Sequence, residues 1–566
     1  MRCPISEAKR ESQRTGRTPH TFKWLLSADR ATSSAALDRP PIVSLHLAPS
    51  TFPFQLCLKY GSNLGAMLRL SAHPLLRGTG RKSRLIIGGI LCAIAIVALL
   101  RHNDAGSQPG RHENEALSQV FGGLSSTIPL QTHPEDVVTK NAHRFASPDD
   151  FLGDHLDRIR RLTPLSVAET KQTCKWTANE LETTQFMWGP TSEWMKQDFD
   201  LNETEFRRHE WMNHLEKETI PWSTVRKHFK GRGIVTAAGH INSLKRLAVA
   251  LRQLTRLGST LPMEVAYWKD EISDDQKAWL EGLYPHMYWN DLSSPKNVFK
   301  THSPKEKEYG HYHLKTAAVL NSRFAEILLL DSDNLPMVKP ESLFETPTYQ
   351  EYGTIFWPDM ARTRAENPMW AITRTRCRMD EYEQESGQLL VDKRKFWYHL
   401  QMSAWMNEQP YYLSMLLGDK DMFRFAWHGL KTEFGRPTMW LTSIGLVYDG
   451  RYCGHTYAQR HPDNSVAFLH RGLYKLHHKA SLKWFRERGG MFTHYKQSPY
   501  DMDMNHPVPT KWNFDILDDI KGGQAWSCMD LVGVAHKPVE ELIPGGVEKL
   551  WEALDGYWII NDPDEE

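Results

Sequence analysis

Asp331-Ser332-Asp333-Asn334 is where residue type and spacing in this sequence most directly imply chemistry. The apolar run Ile327-Leu328-Leu329-Leu330 leads up to it and reads as a fully buried strand. Two carboxylates at i and i+2, where such a strand ends in a loop, can converge on one cation. A hard divalent ion such as manganese or magnesium takes oxygen ligands from one or two carboxylates and keeps positions open for a substrate diphosphate. Held there, it neutralises charge building on a departing nucleotide diphosphate, the chemistry of transfer from a sugar nucleotide. Bare Asp-x-Asp triplets also occur in turns and helix caps; the apolar run ahead of this one favours the metal reading.

Such a loop needs a sheet to position it. Gly233-Ile234-Val235-Thr236-Ala237-Ala238 reads as a short strand, followed by Leu244, Leu247, Leu251 and Leu254 at helical spacing up to Gly258. Met263 to Trp268 reads as a second strand with acidic turn residues behind it, and Leu314 to Leu320 as a helix ahead of the buried strand. Strand, helix, strand in that order predicts a right-handed crossover and a parallel sheet, in which ligands gather at the carboxyl ends of the strands. Ser147-Pro148-Asp149-Asp150 marks the start of the folded domain: a hydroxyl cap, Pro in the first turn, and acids at the positive end of the helix dipole. Leu152, Leu156 and Ile159 follow on one face.

An ordered set of motifs spans roughly residues 230 to 480. It comprises FAEILLLDSDNLPMVKPESLF, Phe356-Trp357-Pro358-Asp359, and Glu385-Ser386-Gly387-Gln388 with Asp392-Lys393. Gly418-Asp419-Lys420-Asp421 with Phe423-Arg424, and Phe468-Leu469-His470 ahead of Lys475, complete it. Together they resemble the fungal Golgi α-mannosyltransferases of glycosyltransferase family 71. The resemblance implies an α/β fold of GT-A type, a Rossmann-like mixed sheet flanked by helices. It implies GDP-mannose as donor, Mn2+ with Mg2+ as substitute, and an α-1,2 or α-1,3 mannosyl bond made with retention on mannan or N-/O-glycan acceptors. It leaves room for a complex with other mannosyltransferases.

Carried onto this chain, the resemblance puts Asp331 and Asp333 in the metal positions, and His470 joins them by analogy with GT-A enzymes that supply a C-terminal histidine. Where the family is expected to set Gln and His side by side, Arg460 stands between Gln459 and His461, which leaves His461 without a role. Lys315 precedes the Asp pair on a helix and can reach a diphosphate, or be a solvated lysine. Glu385, Gln388 and Asp392 offer acid and amide groups for sugar hydroxyls, Glu385 by position rather than by its acidic surroundings. Asp419 and Asp421 are candidates for facing the reacting sugar, with Glu385 as a third catalytic carboxylate, or else form a plain turn. Trp357 floors the donor pocket or packs the sheet edge.

Leu85 to Leu100, LIIGGILCAIAIVALL, is free of charge and closed by Arg84 and Arg101. At ~1.5 Å per residue it spans roughly 24 Å, which assigns 85–101 to a short transmembrane helix. Arg69, Arg77, Arg81, Lys82 and Arg84 precede it, whereas Arg101 and Arg111 after it are diluted by Asp104, Glu113 and Glu115. The positive-inside rule therefore places 1–84 in the cytosol and the rest in the lumen, a type II topology with a stem at 102–146 and a catalytic domain at 147–566; the family resemblance implies that the membrane is the Golgi's. Residues 1–66 are rich in Ser and Arg and poor in acid, and the functional chain is expected to begin at Met67. Beyond the membrane lie Cys174, Cys377, Cys453 and Cys528, enough for two disulfides with three connectivities open, and the sequon Asn202-Glu203-Thr204.

Lys and Arg number 69 against 68 Asp and Glu, so there is no basic field for nucleic acid. Twenty Trp and 19 Tyr suit both a core and carbohydrate surfaces. Three competing functions remain: a transferase using a UDP-hexose, a HAD-type phosphatase, and a non-catalytic glycan-binding subunit. The phosphatase motif wants Thr or Val where Leu335 stands, and the intact Asp pair argues against a silent subunit.

Overall fold

The computed structural model describes residues 55–60, 64–69, 145–174, 197–304, 312–498, 511–517 and 526–562. The chain divides into two units, residues 1–125 and 126–566. In the first, Gln55–Tyr60 and Leu64–Arg69 pair as an antiparallel hairpin, so a chain starting at Met67 would lack its first strand. The 85–101 span and the stem to residue 144 lie outside the described residues. Among the described residues no helix is long and apolar enough to cross a membrane.

The second unit opens as its cap residues dictate. Helix α1 (Pro148–Arg160) has Ser147 as N-cap, accepting from the Asp150 amide, and turns Phe151, Leu156 and Ile159 inward. After α2 (Leu201–Lys217), strand and helix alternate: β1 (Arg232–Ala237), α3 (Ile241–Arg256), β2 (Met263–Tyr267), α4 (Asp274–Leu283) and β3 (Met287–Asp291). Helix α5 (Tyr312–Asn321) then leads to β4 (Glu326–Leu330). For β1, β2, α5 and β4 the bounds agree with the sequence reading to within two residues; α3 starts three residues ahead of Leu244, and α2, α4 and β3 have no counterpart in that reading. Long periodic segments announce themselves, because one apolar face must be buried.

The first sheet has the order β3-β2-β1-β4, followed by β7 (Gln384–Asp392) and β6 (Thr354–Pro358). β1, β2, β3 and β4 run parallel; β7 runs antiparallel to both β4 and β6. This is the mixed sheet expected of a GT-A-type fold. Every residue of β4 and β7 is buried, because both sheet faces are covered. Helices α6 (Lys393–Asn407) and α7 (Lys420–Gly429) close one face.

A second sheet carries the C-terminal part. β8 (Thr442–Tyr448), β9 (Arg451–Arg460) and β10 (Val466–His470) are its centre, with His494–Gln497, Trp512–Leu517 and Trp526–Leu531 around them. β5 (Asn334–Pro336), which follows the Asp pair at once, leaves the first sheet and pairs with β10, Asn334 opposite His470. That short strand joins the two sheets. The four cysteines pair as Cys174–Cys377 and Cys453–Cys528, with Cα separations of 5.3 and 4.8 Å, which selects one of the three connectivities.

Inside the second sheet, His455 is wholly buried; one ring nitrogen is 2.9 Å from the Met491 carbonyl and the other 2.9 Å from the Thr456 hydroxyl. Burial pushes its pKa down to about 4. The unfolded chain binds a proton there below about 6.5 and the folded chain does not. Stability from neutral His455 is therefore complete above pH 6.5 and is lost as pH falls toward 4, a total of about 3 kcal/mol. We expect the melting temperature of the wild type to fall across that window and the slope to shrink in His455→Gln; equal slopes would exclude this origin.

Candidate active site

Asp331 leaves the carboxyl end of β4 with its amide bonded to the Gly387 carbonyl at 2.8 Å, so β7 holds the loop in place. Asp333, Asp331 and His470 offer ligand atoms that lie within 4.8 Å of one another. Pairing of β5 with β10 brings His470 there from across the second sheet. Its Nε2 lies 3.4 Å from Asp333 Oδ1, and its Nδ1 lies 3.2 Å from Glu385 Oε2. Gly387 makes that approach possible: a Cβ on it would stand 2.9 Å from the His470 ring.

Two lysines flank the cluster. Lys315, from α5, places Nζ 3.0 Å from Asp331 Oδ2 and 3.0 Å from Asp419 Oδ2, and donates to the Ser386 carbonyl and hydroxyl. Lys475 donates to Asp333 Oδ2 at 2.6 Å, and Arg471 donates through its amide and Nε to the Asp333 carbonyl. The electrostatics follow from these neighbours. Burial would raise Asp333, but His470 and Lys475 hold it well below the usual carboxylate range. Burial, with Asp333 and Asp419 nearby, keeps Asp331 above its ordinary value despite Lys315. Burial would lower His470, yet Glu385 and Asp333 raise it to about 10, while the same ring brings Glu385 down to about 2 against its own burial.

The donor set fits a divalent ion. Neither ring nitrogen of His470 has an aligned hydrogen-bond partner among the described residues, although both face carboxylates. Asp331 and Asp333 supply carboxylate oxygens and His470 a ring nitrogen, a donor set of the kind a divalent cation takes.

Of the residues singled out in the sequence, Asp331, Asp333, His470, Glu385, Lys315 and Asp419 come together. Lys315 is no solvated lysine, since its ammonium is bound on several sides. Gln388, opposite Leu330, is buried and accepts from the Asn334 amide, so it braces the loop. Three expectations need correction. Asp392 sits opposite Glu326 at the far end of β4 and pairs with Arg394, about 13 Å along the strand from Gln388. Trp357 is 1% exposed, donates its indole N–H to the Arg460 carbonyl, and packs against Phe468, which makes it core and not pocket floor. Asp421 turns inward to Arg424 at 2.8 Å, away from the cluster.

The Gln-Arg-His departure is structural as well: Gln459 donates to the Pro358 carbonyl, Arg460 reaches the Thr442 hydroxyl, and a ring nitrogen of His461 accepts from the Asp463 amide. Sequence reasoning assigned no role to Lys475 or Gly387. Both stood in quoted motifs, and an approach across 142 residues leaves no local signal.

Residues 231–381 match the family described as "Mannosyltransferase putative". The α-1,2-mannosyltransferase MNN22 of Candida albicans is 31% identical over 138 residues, 24% of this chain and 23% of that protein. The α-1,2-mannosyltransferase MNN2 of Saccharomyces cerevisiae is 26% identical over 271 residues, 48% of this chain and 39% of the relative. The α-1,3-mannosyltransferase MNN1 of the same yeast is 27% identical over 187 residues, 31% and 23% of the two chains. The matched stretches thus span well under half the length of these relatives.

Proposed function

We propose, for a chain whose residues 231–381 match the mannosyltransferase family, that it transfers mannose from GDP-mannose to a mannan-type glycan through an α-1,2 or α-1,3 bond, with retention and with a divalent metal. The observation that carries this is the convergence of Asp331, Asp333 and His470 at the carboxyl end of β4, between two lysines. These three residues would hold the ion, which supplies charge neutralisation to a leaving diphosphate.

The chain's own groups do the rest. Lys475, whose side chain is 39% exposed, stands at the rim of the cluster and can turn from Asp333 to a phosphate oxygen. Lys315 fixes Asp331 and Asp419 relative to each other, so that the Asp419 carboxylate has one position beside the reacting sugar. Glu385, whose Oε2 lies 3.2 Å from His470 Nδ1, is the other carboxylate able to face the sugar's anomeric carbon. The two disulfides support an oxidising, lumenal compartment. With the 85–101 segment of the sequence they underlie the type II Golgi placement in this reading.

The test is a donor screen on the full chain, with GDP-mannose and UDP-hexoses offered against α-linked mannobiose, in Mn2+, in Mg2+ and in chelator. We expect product from GDP-mannose alone, falling about 100-fold in chelator and returning with Mn2+, a barrier change of about 2.7 kcal/mol. Undiminished transfer in chelator removes the metal, product from a UDP-hexose replaces the donor, and phosphate release from a phosphomonoester moves the chain to the hydrolases.

A further inference from the structure

The site's charged groups form a row with two unlike ends. Lys475 touches Asp333; Asp333 and Asp331 converge with His470; Asp331 touches Lys315; and Lys315 touches Asp419. One residue before Asp419 the row ends in apolar surface. Tyr312 opens α5 three residues before Lys315, which puts both on one face of that helix, and it is 47% exposed. Its ring lies over Gly418, where an added Cβ would be 3.2 Å from the nearest ring carbon. Gly418 adopts φ +70, a left-handed backbone that glycine takes without strain, so this chain segment passes directly beneath the ring. Leu417, next to it, is 44% exposed.

A single exposed Leu or Tyr calls for no explanation. Two of them joined through one glycine, one residue from Asp419 at the end of the charged row, form an uncharged face there. The lysine end of the row suits a phosphate. The tyrosine end suits a neutral ring whose C–H face lies on an aromatic surface while its hydroxyls point to nearby carboxylates.

We propose that Tyr312, extended by Leu417, is the acceptor platform: the terminal hexopyranosyl unit of the acceptor glycan stacks on the ring and presents one hydroxyl toward Asp419. Tyr312 is then a specificity-determining residue, since the tilt of the stacked sugar selects which hydroxyl is glycosylated. The inference rests on the transferase reading above and deepens it by placing the acceptor opposite the nucleotide.

The experiment compares wild type with Tyr312→Ala, Tyr312→Phe and Tyr312→Trp in the full chain. Mannobiose and GDP-mannose binding are measured by calorimetry, and transfer kinetics with mannobiose as acceptor. In Tyr312→Ala we expect the mannobiose dissociation constant and acceptor KM to rise about tenfold, equal to about 1.4 kcal/mol. The Phe and Trp variants should stay within about twofold of wild type, as should the GDP-mannose dissociation constant in all three. An unchanged acceptor constant in Tyr312→Ala overturns the platform, and so does a donor constant that rises in step with it. Absence of transfer by the wild type defeats the transferase reading separately, and mannobiose titration still decides Tyr312. A wild type that does not bind mannobiose overturns the platform too.

Discussion

Asp331→Asn is expected to lower the proposed mannosyl transfer by about a thousandfold, roughly 4 kcal/mol of transition-state stabilisation, while the protein melts at the same temperature or higher. The two effects have one cause. Asp331 shares the single ammonium of Lys315 with Asp419 and also lies beside Asp333. Burial and these neighbours raise its pKa, which means its ionised form costs the fold energy. An uncharged amide removes that cost together with a ligand oxygen. Asp333→Asn behaves differently in stability: His470 at 3.4 Å and Lys475 at 2.6 Å hold its carboxylate well below the usual range, so the ionised form stabilises the fold and losing it costs stability. Transfer is lost in both variants, but only Asp333→Asn melts lower. Initial rates with Mn2+ and calorimetric melting in chelator read the two effects apart. A folded Asp331→Asn protein that keeps more than about a tenth of wild-type activity would falsify the site.

The contrast between the two aspartates also shows what a sequence can disclose. Asp331 and Asp333 were legible because their signal is local, with a buried strand and two carboxylates within seven residues. The cap at Ser147 and the elements β1, α3, β2, α5 and β4 were legible for the same reason, whereas α4 and β3 were not. His470 entered by family analogy; its position depends on β5 crossing to pair with β10, a contact across more than 130 residues that no periodicity encodes. Asp392 shows the opposite error. It shares a strand with Gln388, and proximity in sequence suggested one site, but a strand advances about 3.3 Å per residue, and four residues carry it out of reach. Lys393, quoted in the same motif, is wholly buried, and burial pushes its pKa well down; its amine donates to the carbonyls of Leu320 and Ser322. It thus satisfies carbonyls at the carboxyl end of α5, a structural role. Trp357 reads alike as pocket floor or as core, and only the Arg460 carbonyl facing its N–H decides.

Asp421 was read as catalytic, and its surroundings give the second large effect: Arg424→Met destabilises the fold by about 3–5 kcal/mol and lowers the melting temperature by roughly 5–15 °C. Arg424 is 1% exposed and spans two carboxylates, Asp421 and Glu381, at 2.8 Å each, while its Nη2 donates to the Thr363 hydroxyl. Glu381 also faces His428 at 2.6 Å, and Asp421 accepts the Gln384 amide that opens β7. Removing the guanidinium leaves both buried carboxylates short of the cation that spans them. Arg424→Lys does not restore stability, because one ammonium cannot match the two-sided fork. The penalty shrinks as pH falls, since the stranded carboxylates take up protons and so lose the charge that burial penalises. The triple variant Arg424→Met, Asp421→Asn, Glu381→Gln separates stranded charge from lost packing. It should be more stable than Arg424→Met alone, because a neutral network of similar volume avoids desolvating ions. Melting curves of the four proteins between pH 5 and 8 test this. A single variant within about 1 °C of wild type, or a triple variant no better than the single, would mean that these ion pairs do not hold α7 against β7.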